Sequence, residues 1–282
     1  VAKDELQFVK KLKNSTTTAM ATALITGASG GIGATFAREL AKRKYNLFLV
    51  ARSKEKLQKL AQQLQDQHKI QTDILVQDLA VPGAAAQVFQ ATSERGFAVD
   101  ILINNAGFGD YGAFCDRPLQ RQTQMVQLNV TTLVEMTHLY LPHMRQQRSG
   151  SIINISSIAG FQPIPYMSVY AATKAFVLSF SESLWAENRD YGIYVQALCP
   201  GPTQTNFFRT AEFPTANGQT NMDNGASPEQ IVHESLKAMS KNQPTVVAGG
   251  FSNHLITTLP RFFPRETVVG LVEKQFRKMA EG

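Results

Sequence analysis

The feature that most constrains this chain is a regular alternation, from Ala21 onward, of strand-length apolar runs with longer helical stretches. The strand candidates are Ala23–Thr26, Asn46–Val50, Thr72–Gln77, Ile101–Asn104, Gly150–Ser156, Tyr194–Cys199 and Thr245–Ala248. Between them, Ile32–Arg43, Lys54–His68, Ala84–Arg95 and Thr173–Tyr191 read as helices. Runs this short and this uniformly apolar suit parallel strands buried on both faces, and the intervening helices supply the crossovers and the cover.

The pattern predicts an α/β doubly wound parallel sheet of Rossmann type, with about seven strands, helices on both faces, and ligands at the strands' carboxyl ends. A length of 282 residues suits one such domain, expected over residues 20–282. No apolar run reaches the ~20 residues of a membrane-spanning helix, so no span is expected. Cys115 and Cys199 are far apart, which suggests neither a disulfide framework nor a zinc site and fits a cytoplasmic protein. The net charge of +6 is spread over helices that also carry Asp and Glu, favouring a phosphate-rich cofactor over nucleic acid. The five histidines do not cluster, and no metal site is expected. Residues 1–19 crowd Lys3, Lys10, Lys11 and Lys13 ahead of a Ser/Thr run, with no apolar segment of the kind a secretory leader needs. A helix using Leu6, Val9 and Leu12 is one alternative there, but a flexible extension is the expectation.

Thr26-Gly27-Ala28-Ser29-Gly30-Gly31-Ile32-Gly33 joins the first strand to the first helix. Gly27 allows a tight turn, Gly31 a close backbone approach to a pyrophosphate, and Gly33 close packing of helix on strand, while the helix N-terminus offers N–H groups to the anion. Gly107-Phe108-Gly109-Asp110-Tyr111-Gly112 has a similar glycine spacing but follows the fourth strand, and reads as a loop beside the nicotinamide. The second strand ends Val50-Ala51-Arg52-Ser53. Ala51 stands where an NAD-binding chain places an acid, and Arg52 suits a 2′-phosphate, so the expected cofactor is NADP(H).

Tyr170 and Lys174 lie four apart on one helical face, where an ammonium is expected to lower the phenol's pKa and make it an acid/base group. Alone this spacing is weak. With Asp78 after the third strand, Asn104-Asn105-Ala106-Gly107 after the fourth, Asn129, Ser157, and Pro200-Gly201 followed by Thr203 and Thr205, the sequence from Ala21 to Thr205 resembles the compact, single-domain form of the short-chain dehydrogenase/reductase family. The resemblance implies that Tyr170 gives or takes the proton, Ser157 binds the substrate oxygen, Lys174 holds the nicotinamide ribose, and Asn129 links Lys174 to solvent through a water. It further implies a cofactor site of Gly27, Ser29, Gly31, Ile32 and Gly33 in the turn, then Arg52, Ser53, Asp78 and Leu79. Asn105, Ala106, Gly107, Tyr170, Lys174, Pro200, Gly201, Thr203 and Thr205 complete it. A homodimer or homotetramer is implied as well.

Apolar residues around these positions suit a hydrophobic ketone, aldehyde or alcohol: Phe108, Tyr111 and Phe114, then Phe161, Ile164, Tyr166 and Met167, with Phe207 and Phe208 in a substrate loop over about 206–226. That loop precedes a helix opening at Ser227-Pro228-Glu229-Gln230, expected to carry a capping box. The basic, aromatic stretch Leu259–Arg265 is expected to dock with its following helix on the substrate pocket, a membrane surface or second subunit being the alternatives. Two other functions compete with the oxidoreductase: an NADP(H)-binding regulator without catalysis, opposed by the intact Ser157, Tyr170 and Lys174, and an epimerase or dehydratase of the extended relatives, opposed by the glycine spacing and the short C-terminal part.

Overall fold

The apolar runs form β1 (Thr22–Thr26), β2 (Asn46–Ala51), β3 (Thr72–Val76), β4 (Val99–Asn104), β5 (Gly150–Ile155), β6 (Ile193–Pro200) and β7 (Thr245–Ala248) in a computed structural model that describes residues 20–214 and 225–281. All pair in parallel, in the order β3-β2-β1-β4-β5-β6-β7. The order reverses between β1 and β4, which opens a crevice at their carboxyl ends. The expected extension, residues 1–19, and residues 215–224 of the expected substrate loop lie outside the described residues.

The crossovers are α1 (Gly31–Lys42), α2 (Lys54–His68), α3 (Ala84–Glu94), α4 (Leu119–Val126), α5 (Thr132–Gln147) and α6 (Ser168–Asn188). After β6 come the single turn α7 (Phe207–Thr210) and α8 (Pro228–Ser240); α9 (Phe251–Thr258) and α10 (Arg265–Glu281) follow β7. Phe36, Ala37, Leu40 and Ala41 give α1 one fully buried face, packed with α2 and α8 against one side of the sheet. Helices α3, α5 and α6 cover the other side through Val88, Met136, Tyr140 and Trp185. A buried polar ladder crosses the sheet: Asn104 Nδ2 donates to Asn154 Oδ1 at 2.9 Å, and Asn154 Nδ2 donates to Ser181 Oγ at 3.0 Å, tying β4, β5 and α6 together.

Two local expectations change. Helix α6 begins at Ser168, two residues after a left-handed Tyr166 (φ 66°) and ahead of the Thr173 start read from the sequence, so Tyr170 stands in its first turn, on one helical face with Lys174 as expected. At α8, Ser227 Oγ accepts from the Gln230 N–H at 3.1 Å, but Gln230 turns its side chain onward, its Nε2 donating to Glu234 at 2.9 Å, and its Oε1 does not accept from the Ser227 N–H. The capping box is therefore half formed, the Gln230 side chain being drawn along the helix by its charge-assisted bond to the Glu234 carboxylate.

Candidate active site

The crevice is a cleft of about 810 Å³ running across the ends of β1, β4, β5 and β6. Its polar end is the turn before α1. Gly27 has φ 66°, and the turn is clamped from β4: Asn105 Nδ2 donates to Thr26 O at 2.9 Å and Gly27 O at 3.2 Å, while Thr26 Oγ1 accepts the Asn105 and Ala106 N–H groups. Gly33 packs behind the turn and not into the cleft; a Cβ there would lie 2.5 Å from Gly27 O. Ser29, Gly31 and Ile32 face the cleft. The N-cap Gly30 offers no side-chain bond to α1, so the first N–H groups of this helix are left for a ligand.

Arg52 and Ser53 lie along the wall at the end of β2, and Asp78 with Leu79 at the end of β3. Lys56, in the first turn of α2, joins them and was not singled out from sequence, although it follows Ser53 by about one helical turn. Arg52 makes no ion pair among the described residues. An anion-accepting helix start, bare glycine backbone, and two cations beside an uncharged strand end fit a dinucleotide carrying a 2′-phosphate.

Midway along the cleft stand Ser157, Tyr170 and Lys174, all buried. Ser157 begins a short 3-10 turn, its Oγ accepting from the Ala159 N–H at 3.1 Å. Lys174 Nζ donates to Ile155 O at 2.8 Å, and Ser156 Oγ donates to Lys174 O at 2.8 Å, fixing α6 to the end of β5. Burial pushes the Tyr170 phenol up to about 12, and a hydrogen bond with Ser157 offsets part of the rise. Burial pulls the Lys174 ammonium down to about 8, with the Cys199 thiol opposing. This corrects the sequence expectation: desolvation, not the ammonium, governs the phenol, and Tyr170 is a protonated acid at neutral pH.

Asn129 does not line the cleft. It lies in a π-helical turn, Gln127–Thr131, where its side chain accepts from the Phe108 N–H at 3.2 Å and donates to Phe108 O at 3.0 Å and Thr173 Oγ1 at 3.2 Å. A Cβ at Gly107 would stand 3.0 Å from Asn129 Oδ1 and 3.6 Å from Lys174 Nζ, so the two groups flank the same bare backbone. The loop reading of Gly107–Gly112 holds, since only a three-residue 3-10 turn, Phe114–Asp116, comes before the next α-helix at Leu119. Ala106, Gly107, Pro200, Gly201, Thr203 and Thr205 all line the cleft as expected.

The far end is apolar. Phe108, Ile164, Met167, Phe207 and Phe208 line it, and the phenol of Tyr170 meets the Phe207 ring at 5.3 Å between centroids. Tyr111 stacks on Tyr166 behind this wall, and Phe114 is 60% exposed, so these do not line it. Phe161 does not line it either. Phe213 and Phe276 do, and were not anticipated. Asp110 holds the wall together through Arg117, at 2.6 Å, and Arg121; Arg117 also reaches Glu212 at 2.7 Å. Burial raises the Asp110 carboxyl, but hydrogen bonds from the two arginines more than offset it and hold it below its usual range. Only α10 docks on the pocket, through Phe276 and Val272. Leu259, Phe262 and Phe263 face outward instead, because two buried polar side chains, Asn253 and Thr257, occupy the inner face of α9.

The short chain dehydrogenase family profile matches residues 21–214. The chain belongs to this family. Membership bears out the expected family, and the sheet order bears out the doubly wound fold. The very-long-chain 3-oxoacyl-CoA reductase of Anas platyrhynchos is 39% identical over 184 residues, 63% of this chain and 58% of that protein. The chain spans little more than half the length of the first curated relatives it matches. Among solved structures, the bulky-bulky ketone specific alcohol dehydrogenase from Comamonas testosteroni is 36% identical, covering 82% of this chain and 86% of its own, with a TM-score of 0.71. A short-chain dehydrogenase from Sphingobium yanoikuyae in complex with NADPH is 34% identical over 86% of this chain and 91% of its own, with a TM-score of 0.73.

Proposed function

We propose that the chain interconverts a carbonyl and an alcohol on a bulky, uncharged hydrophobic substrate, using NADP(H), with Tyr170 as the proton donor and acceptor. The observation that carries this reading is the graded cleft: cations and a helix start at one end, a buried phenol beside a serine hydroxyl in the middle, and phenylalanine walls at the other end. The NADPH bound to the Sphingobium relative and the ketone specificity in the name of the Comamonas relative support the cofactor and the substrate class.

The cofactor, when bound, supplies or receives the hydride. The protein does the rest. Arg52 and Lys56 hold the 2′-phosphate as a pair of cations, and Ser29, Gly31 and Ile32 hold the pyrophosphate at the start of α1. Ser157 donates a hydrogen bond to the substrate oxygen and fixes it beside Tyr170. Tyr170, protonated at neutral pH, donates its proton to that oxygen as negative charge develops there. Lys174 steadies the phenol and the ribose, and Asn129 acts through the Gly107–Phe108 backbone and a water to return a proton from solvent. Phe207, Phe208 and Phe276 exclude water from the reacting carbon, and the lack of a charged side chain among these three selects against acidic substrates.

An NADPH-oxidation screen over cyclic and aryl ketones, long-chain aldehydes and short sugars tests the reading. Turnover should concentrate on the bulky apolar carbonyls. Turnover confined to sugars or charged keto acids would refute the substrate class, and faster turnover with NADH would refute the cofactor.

A further inference from the structure

The segment behind the pocket is built inside out. Helix α9 turns two polar residues, Asn253 and Thr257, toward the protein, where they are 4% exposed. Asn253 Nδ2 donates to Ala248 O at 2.8 Å, and Thr257 Oγ1 donates to Asn253 O at 3.1 Å, so this inner face is satisfied and settled. The outer face carries Phe251, Leu255 and Leu259 at helical spacing, and the 3-10 turn Leu259–Phe262 extends it to Phe262. Phe251 is 76% and Phe262 77% exposed; Ile256, Phe263 and Leu271 are exposed beside them. Seven of the fifteen exposed large apolar side chains among the described residues thus fall within residues 251–271. A helix that buries its polar side and offers its apolar side to solvent has a partner in use.

We propose that this outward stripe docks on an anionic lipid surface. Residues 251–271 contain a single acid, Glu266, and Arg261 and Arg265 stand exposed at the edge of the stripe. Neither arginine is in an ion pair among the described residues. Phenylalanine and leucine flanked by arginine is the composition of a segment that lies in the headgroup plane. A two-fold contact between copies through the same stripe would add two arginines from each copy to the rim of one interface, whereas an anionic surface complements them. No helix among the described residues is long and apolar enough to cross a membrane, so the contact is peripheral. The same C-terminal helix that shows Leu271 outside places Phe276 in the cleft, which sets the lipid surface next to the apolar end of the site.

The test is flotation of the full chain with phosphatidylcholine vesicles and with mixed phosphatidylcholine–phosphatidylglycerol vesicles. The wild type should float with the mixed vesicles, and far less with phosphatidylcholine alone or at about 0.5 M salt. Phe262→Ser with Phe263→Ser should weaken vesicle binding by at least about tenfold. Arg261→Gln with Arg265→Gln should weaken it about thirtyfold, at ~1 kcal/mol for each cation near the surface. All four positions are exposed, so melting temperatures should match the wild type. Binding that survives the phenylalanine pair would overturn the proposal, since it would be carried elsewhere on this basic chain. So would failure of the wild type to float, or a wild-type dimer in sedimentation velocity that the phenylalanine pair converts to monomer.

Discussion

Replacing Gly33 with Ala isolates the turn that the cofactor site depends on. An ideal Cβ at this position lies 2.5 Å from both Gly27 O and Asn105 Nδ2. The carbonyl belongs to the turn itself and cannot retreat without opening it. The amide can swing away only by giving up its bonds to Thr26 O and Gly27 O. Overpacking of this kind costs ~1–3 kcal/mol, and each lost hydrogen bond about 1 kcal/mol. A total of about 3 kcal/mol corresponds to a fall in Tm of about 6–12 °C in a domain of this size. The wrecked turn should also weaken NADPH binding by more than about tenfold, because the N–H groups of α1 no longer converge.

Gly30→Ala is the matched control for stability. Nothing lies within 4 Å of a Cβ there, and the backbone is extended at φ −178°. Its Tm should hold or rise slightly, as restricting the unfolded chain favours folding. Differential scanning calorimetry of the two variants, with NADPH titration of Gly33→Ala by fluorescence, decides the matter. A Gly33→Ala protein that melts and binds like the wild type, or a Gly30→Ala protein that loses as much stability, would refute the packing argument.

Tyr170→Phe should cut ketone reduction by about 10²–10⁴-fold while NADPH affinity changes little, since the phenol supplies a proton and not cofactor binding; steady-state kinetics beside a binding titration reads both. Arg52→Ala with Lys56→Ala should raise the Kd for NADPH by about 10–100-fold and leave that for NADH nearly unchanged, on the strength of charge-assisted bonds to phosphate; equal losses for both cofactors would remove the 2′-phosphate role. The pH profile of kcat/KM for reduction should be level below neutrality and fall as pH rises through about 8, where Lys174 loses its charge, while Tyr170 stays protonated until about 12. A profile level from pH 6 to about 10 would show that Lys174 does not act through its charge.

Whatever depends on local pattern was legible in the sequence. Parallel strands buried on both faces must be uniformly apolar, so the runs at Ala23, Asn46, Ile101 and Tyr194 announced themselves to within a residue or two. The turn at Gly27–Gly33 was legible because positive φ at Gly27 and Gly31, and the close packing behind the turn at Gly33, need residues without a Cβ. Features built from distant pairs were not. Nothing local marks Asp110 as the acceptor of Arg117 and Arg121, or Phe276 as a wall of a cleft that opens at Gly27. The π-helical turn at Asn129 escaped for a related reason: its one-residue excess is absorbed by bonds to Phe108 and Thr173, which belong to other elements.

The phenol shows why spacing and electrostatics must be kept apart. Tyr170 and Lys174 at four residues' separation promise attraction between an ammonium and a phenolate, and on an exposed helix that attraction would govern the titration. Here both groups sit below the surface against β5, and Lys174 Nζ spends a hydrogen bond on Ile155 O. Desolvation then acts on both in the direction of neutrality, raising the tyrosine and lowering the lysine. Sequence spacing fixes who the neighbours are, but depth fixes which form each neighbour prefers. A buried phenol held protonated is poised to donate to a carbonyl, and the phenolate left behind, which is also the base that the alcohol direction needs, is favoured while Lys174 carries its charge. That coupling ties proton transfer in either direction to the charge of Lys174, the quantity that the pH profile measures.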